Sequence, residues 1–146
     1  MTKRYKCLWI RQPFADSFAR GRLEVHIRPW RTSYRGEVII CAESGTGRMM
    51  GMDDGCWLAR AELVGCVPVR ELTSEQIAKS DMLGSNKGFG WVLKDIRRLV
   101  EYPCDGSGFK DMELNEDDMT EYPTLVVLDK KGYDMIMTGR WRRKKK

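Results

Sequence analysis

Residues 24–42 read EVHIRPWRTSYRGEVIICA, and most of the fold prediction starts from this stretch. Apolar and polar side chains alternate through its first half, the apolar ones being Leu23, Val25 and Ile27 and the polar ones Glu24, His26 and Arg28. A period of two is typical of a β-strand with one face on the core. We therefore predict a strand over 23–28 whose other face carries an acid, an imidazole and a guanidinium.

The second half of the stretch predicts a loop and then another strand. Pro29 has no N–H to donate, so it ends the first strand. The loop that follows is rich in aromatic and basic side chains, namely Trp30, Arg31, Tyr34 and Arg35, and Gly36 closes it. A β-rich run follows over 37–43. A charged strand that opens into such a loop is typical of a binding site.

Length and composition favour one globular domain. The chain has 146 residues, of which 42% are hydrophobic and 32% charged, enough for a single core but not for two domains. No apolar run reaches the length of a membrane span, and Met1-Thr2-Lys3-Arg4 leads directly into a predicted strand rather than a signal peptide. The expectation is a cytoplasmic protein without a membrane anchor.

Charge is distributed unevenly along the chain. The net charge is +6 over residues 1–48, −7 over 49–139 and +6 over the tail 140–146, although the total is only +5. A polyanionic partner should therefore meet the N-terminal part and the tail, not the whole surface.

The five cysteines show no metal-site spacing. None of Cys7, Cys41, Cys56, Cys66 and Cys104 forms a CxxC pair, and the chain has one histidine. Small buried thiols in a reducing compartment are the simplest interpretation. We therefore expect no metal, no disulfide and no cofactor.

The remaining pattern predicts a mainly β (α+β) protein. Further strands are expected over Tyr5–Ile10, Trp57–Val69 and 91–100, and Gly65 is a candidate bulge in the second of them. A short helix is expected after Pro13. The capping box Thr73-Ser74-Glu75-Gln76 predicts another over 74–83. Residues 103–122 are acidic and loop-like, and 124–128 and 133–137 flank a hairpin turn. Without βαβ alternation, we predict a closed or nearly closed small β-barrel with two or more short capping helices.

Several motifs resemble the ASCH domain family, whose members are PUA-like β-barrels. The matching residues are Gln12-Pro13-Phe14-Ala15, then Gly21 with Ile27-Arg28-Pro29-Trp30-Arg31-Thr32 and Tyr34-Arg35-Gly36, then Gly90-Trp91-Val92-Leu93 with Leu99. The resemblance places an ASCH/PUA-like core at 1–103. Residues 104–139 would be an acidic insertion and a C-terminal hairpin packed on the same domain, and 140–146 a basic tail.

The resemblance implies a cleft that binds RNA or modified nucleosides, walled by strand 23–28 and loop 29–36. Some family members hydrolyse acetylated cytidine, with a lysine and a threonine in a Gly-x-Lys-Thr-type motif and a glutamate, and some are reported as ribonucleases. Here the lysine position is Leu23, and the position two before the arginine, Thr or Glu in relatives, is His26. A leucine cannot activate a nucleophile or stabilise developing negative charge.

Binding of RNA or a modified nucleotide is therefore the leading hypothesis, with DNA as an open alternative and no membrane partner. The predicted binding residues are Gln12, Arg28, Trp30, Arg31, Thr32, Arg35 and Trp91, with Glu24 and His26 as further polar contacts. Trp30 would stack on a base, with Trp91 as a second stacking candidate, and Trp30 as a lid over the barrel end is the alternative. Arginine forks suit phosphate.

Two other functions remain open. The first is a nucleoside or RNA hydrolase with His26 and Glu24 as the acid–base pair, since neighbours on one strand face lie about 7 Å apart. Against it, a charged strand face is often only a solvated ion-pair network. The second is a protein-interaction module that docks through the acidic residues 105–121.

Overall fold

A computed structural model describes residues 1–81 and 86–123. In this part of the chain six strands, two α-helices and three short 3₁₀ turns follow one another. The strands are β1 (Thr2–Ile10), β2 (Val25–Arg28), β3 (Gly36–Ala42), β4 (Cys56–Pro68), β5 (Phe89–Pro103) and β6 (Phe109–Asn115). The helices are α1 (Phe14–Ala19) and α2 (Ser74–Ala78), and the 3₁₀ turns span Arg48–Met50, Val69–Glu71 and Glu116–Asp118.

The strands form one mixed sheet in the order β2-β5-β4-β3-β1-β6. Strands β1 and β3 are parallel, and the other neighbours are antiparallel. The register of β4 on β5 shifts between Leu63 and Gly65, at the predicted irregularity. The mainly β class with few short helices is confirmed. Closure into a barrel is not shown, because β2 and β6 are the two edges of the sheet that the described residues form.

Both faces of the central strands are buried. On one face of β1, Leu8 and Ile10 pack with Phe18 of helix α1 and with Trp91. On the other face, Cys7 and Trp9 pack with Trp57 in what we call the second core cluster. Strands covered on both sides lose the simple alternation of apolar and polar residues, which explains the continuous apolar run at the end of β3.

The two predicted helices are present, but α2 is shorter than expected. The Thr73 hydroxyl accepts from the Gln76 N–H and the Gln76 amide oxygen accepts from the Thr73 N–H, which confirms the capping box. The helix nevertheless ends at Ala78 instead of continuing to residue 83. The chain then turns back, and Ser80 forms an isolated bridge with Val25.

The prediction that the acidic segment 103–122 is a loop is wrong. Residues Phe109–Asn115 form β6, which pairs antiparallel with β1. Leu114 is buried in the second core cluster with Met112 packed against it, while Asp111 lies 3.2 Å from Lys6 and 3.7 Å from Arg4 across the strands. Cations of β1 thus offset the acidic side chains that suggested a loop.

The predicted hairpin over 124–137, Trp141 and the basic tail 140–146 lie outside the described residues. Among the residues that the structure describes, no helix has the length and apolar character of a membrane span.

Candidate functional site

The site is built on β2, the edge strand predicted from residues 23–28. In the pairing of β2 with β5, His26 stands opposite Trp91. The His26 ring contacts Trp91 edge-on at a centroid distance of 6.4 Å and Phe18 of helix α1 at 5.8 Å. His26 is therefore only 8% exposed. The predicted polar face of this strand is largely buried.

The carboxylate beside His26 belongs to Asp81. An Asp81 oxygen lies 2.5 Å from Nδ1 of His26, and the other accepts the Ile27 N–H at 2.9 Å. The Asp81 N–H donates in turn to the carbonyl of Val25 at 3.2 Å, which fixes the aspartate against β2. The sequence interpretation missed this residue. The available signal was that a buried histidine needs a partner, but sequence spacing does not identify a partner so distant.

Arg28 joins the other side of the imidazole. Its Nη1 lies 3.3 Å from Nε2 of His26. Because a guanidinium only donates hydrogen bonds, Nε2 is the acceptor, and the ring proton lies on Nδ1, toward Asp81. The result is a directed chain from Arg28 through His26 to Asp81.

The Arg28 guanidinium also lies between two indole rings, at 5.2 Å from the ring centroids of Trp30 and Trp91. Burial lowers the pKa of Arg28, while the charges of Glu43 and Asp81 act in the opposite direction. Its Nε is buried and has no hydrogen-bond partner among the residues that the structure describes. A buried donor without a partner costs free energy, so an acceptor that reached this atom would be stabilised.

Glu24, the predicted acid–base partner of His26, has other contacts. Its carboxylate lies 2.7 Å from Nζ of Lys79 and 3.1 Å from Nζ of Lys94. Hydrogen bonds from these two lysines lower the pKa of Glu24. His26 thus contacts Asp81, whereas Glu24 contacts two lysines. An acid–base couple at this histidine would therefore use Asp81 instead of Glu24.

Two of the residues predicted to contact nucleic acid, Gln12 and Trp91, are buried in this structure. Gln12 is 4% exposed, its amide donates to the carbonyl of Asp53 at 2.7 Å, and its oxygen accepts the Asp16 N–H at 3.0 Å. Trp91 is 1% exposed and donates to the carbonyl of Trp30 at 3.1 Å. Neither side chain offers a face to a ligand in this structure. Both instead support loops, as buried polar groups with satisfied hydrogen bonds do.

The loop between β2 and β3 carries the exposed part of the site. Trp30 is 58% exposed although its ring touches the Arg28 guanidinium. The Arg31 guanidinium lies 5.7 Å from the centroid of Phe89, and Arg35 donates to the carbonyls of Thr32 and Tyr34 at 3.0 and 2.8 Å. The loop is therefore ordered by its own side chains and presents an indole and two cations.

Two adjoining shallow pockets flank this loop. One has a volume of about 430 Å³ and includes Arg31, Thr32, Arg35 and Phe89 in its lining. The other, of about 380 Å³, shares Arg31 and Phe89 and adds Arg70 and Lys87. None of the described lining residues is acidic. Within 1–81 and 86–123, the arginines of the two pockets (Arg31, Arg35 and Arg70) form no ion pair. We call this surface the basic groove.

Comparison with known proteins supports a family assignment. The sequence model of the ASCH domain matches residues 8–104. A structure of an ASCH mutant protein from Zymomonas mobilis, with one tyrosine replaced by phenylalanine, has a TM-score of 0.52 and 15% identity, over 69% of this chain and 76% of that one. A second ASCH structure from Zymomonas mobilis has a TM-score of 0.47 and 13% identity, covering 78% and 90%. No curated protein matches the sequence. At this level of identity the likeness concerns the fold alone.

Proposed function

The chain belongs to the ASCH domain family, and on that premise we propose that it binds single-stranded RNA or a modified nucleotide through the basic groove and Trp30. The single observation that carries this proposal is the groove itself. Its arginines lack acidic partners in the described residues, beside an exposed indole on the same loop. Arginines without acidic partners next to an aromatic face are a combination that suits single strands. The proposal includes the fold: this chain would share the PUA-like β-barrel of the family.

The loop supplies two kinds of contact. Arg31 and Arg35 present planar forks that suit phosphate oxygens. The exposed face of Trp30 suits a base, which stacking would stabilise by about 1–3 kcal/mol. Both contacts tolerate any sequence, so this part of the site would supply affinity more than specificity.

Arg28 is the candidate for specificity. Its Nε is buried and has no partner within 1–81 and 86–123, and its guanidinium contacts Trp30, Trp91 and His26. An acceptor on a base or ribose that reached this atom would gain a hydrogen bond to a preorganised cation. A ligand without that acceptor would leave the atom unsatisfied, which is the usual physical basis of discrimination.

Titration of short single-stranded RNA at two salt concentrations tests the proposal. We expect binding that weakens with salt and that is measurably weaker in Trp30→Ala. Binding that is independent of salt, or unchanged in that variant, would contradict it. Single-stranded DNA and acetylated cytidine serve as competitors that define the ligand class.

A second candidate function rests on the His26–Asp81 contact. A histidine oriented by a buried carboxylate is the arrangement of a general base. Its Nε2 is covered by Arg28, however, so a substrate would have to displace that guanidinium. Leu23, at the position of the family's catalytic lysine, packs against the core cluster that contains Leu8 and Phe18. Incubation of the protein with RNA and with acetylated cytidine, followed by product analysis, separates a hydrolase from a binding protein.

A further inference from the structure

Three cysteine thiols converge inside the second core cluster, on the face of the sheet opposite helix α1. Cys7 lies on β1 and Cys41 on the parallel strand β3, and in their register Cys7 pairs with Ile39 and Trp9 with Cys41. The two cysteines are therefore diagonal neighbours on one face. Cys104 follows directly after β5 and is held by its N–H to the carbonyl of Gly55 at 2.8 Å. Three separate segments thus bring their thiols to one point.

The thiols are close enough to share one ion. Their three sulfur atoms lie within 4.8 Å of one another, and those of Cys41 and Cys104 are 3.8 Å apart. A metal–sulfur bond of about 2.3 Å sets the sulfurs of a planar three-coordinate site about 4.0 Å apart. Since no two of the sulfurs are more than 4.8 Å apart, the longest sulfur–sulfur distance must shorten by less than an ångström. Rotation of the cysteine side chains can supply this change.

We propose that Cys7, Cys41 and Cys104 form a binding site for a single thiophilic cation with three sulfur ligands, of which Cu(I) is the best match. Soft thiolate ligands favour Cu(I) and zinc among the common metals. Zinc requires four ligands in a structural site, and within the described residues no other histidine, cysteine or carboxylate joins the group. The site is also buried, so water is a poor source of a fourth ligand.

A hydrogen bond already connects two of the three thiols. The Cys41 thiol donates toward the Cys104 sulfur, 3.8 Å away. Binding would replace each S–H bond that breaks by a metal–sulfur bond and release that proton to solvent, with no change in the oxidation state of copper or sulfur.

Anaerobic titration of the whole protein with Cu(I), against a coloured Cu(I) chelator, tests the site. We expect one equivalent to be withdrawn from the chelator, and X-ray absorption of the loaded protein to show a first shell of three sulfurs. Cys104→Ser should weaken binding at least tenfold. Cys56→Ser removes another buried thiol outside the cluster and should bind as the wild type does.

Two results would overturn the proposal. The first is a wild-type protein that withdraws no Cu(I) from the chelator, or that binds it through fewer than three sulfurs. The second is equal affinity in Cys104→Ser and the wild type. Should Cys104→Ser not fold, the X-ray absorption spectrum of the wild-type protein decides, because it counts the sulfur ligands without any substitution.

Discussion

The Nδ1 atom of His26 lies 2.5 Å from a carboxylate oxygen of Asp81, although 55 residues separate the two in the chain. Both side chains are nearly buried, with exposed fractions of 10% and 7%. The same carboxylate accepts the Ile27 N–H at 2.9 Å. Asp81 therefore connects the segment after helix α2 to β2 and determines which ring nitrogen of His26 faces Arg28.

Replacement of Asp81 should destabilise the protein in a graded way. Asp81→Ala leaves the Nδ1–H of His26 and the Ile27 N–H without their acceptors, which should cost about 2–4 kcal/mol of unfolding free energy. Asp81→Asn keeps an oxygen for Ile27 and should cost less. Urea unfolding of both variants measures the difference. Equal stability of the alanine variant and the wild type would show that the contact contributes nothing.

The loop residues should control affinity for single-stranded RNA. Loss of the indole in Trp30→Ala should weaken binding by about 1–3 kcal/mol, or roughly 5- to 150-fold in Kd. Arg31→Ala should reduce the slope of log K against log salt by about 0.7, the value for one phosphate contact of a single strand. Fluorescence anisotropy across a salt series gives both numbers.

Arg4→Ala is the matched control for Arg31→Ala. It removes the same charge from an exposed side chain on β1, beside the edge strand β6 and across the sheet from β2. Its salt slope should equal that of the wild type. A slope reduced as much as in Arg31→Ala would show that binding follows total charge and not the basic groove.

The hydrolase alternative makes a different prediction. If the protein cleaves RNA or acetylated cytidine, turnover should be lost in His26→Ala and reduced in Asp81→Asn, because the aspartate orients the imidazole. Glu24→Gln should retain turnover, since Glu24 contacts Lys79 and Lys94 instead of His26. Single-turnover product analysis of the three variants distinguishes these roles. Activity lost in Glu24→Gln but retained in Asp81→Asn would reverse the assignment.

Glu24 should make the unfolding free energy depend on pH in the acidic range. Hydrogen bonds from Lys79 and Lys94 lower its pKa in the folded state. Its contribution is therefore complete above the unfolded pKa of about 4.3 and is lost as pH falls through the lower folded value. The stability difference between wild type and Glu24→Gln should shrink over that range. A difference that is constant with pH would contradict this origin.

Two glycines in the paired strands β4 and β5 should respond differently to alanine. A Cβ at Gly90 would lie 2.8 Å from Val25 and 3.0 Å from Leu72, so Gly90→Ala should cost about 1–3 kcal/mol through overpacking. A Cβ at Gly65 would meet Val92 at 3.7 Å, an ordinary contact, and Gly65→Ala should change stability by less than about 0.5 kcal/mol. Thermal unfolding of the two variants compares them directly.

The local elements could be predicted from the sequence because neighbouring residues determine them. The alternation before Pro29 located β2, and the capping box located the start of α2. The acidic composition of 109–115 misled, since the cations that offset it lie on β1, far away in the chain. Local pattern reports which side chains share a face, but not what covers that face.

The sequence by itself determined the family, the strand that carries His26 and Arg28, and the basic and aromatic character of the loop after it. Only the tertiary structure decided that Asp81 rather than Glu24 contacts His26, that Gln12 and Trp91 are buried, and that three cysteines meet. The physical reason is that hydrogen bonds and burial depend on distances in space. Such distances between remote segments are set by sheet order and register, which no local spacing encodes.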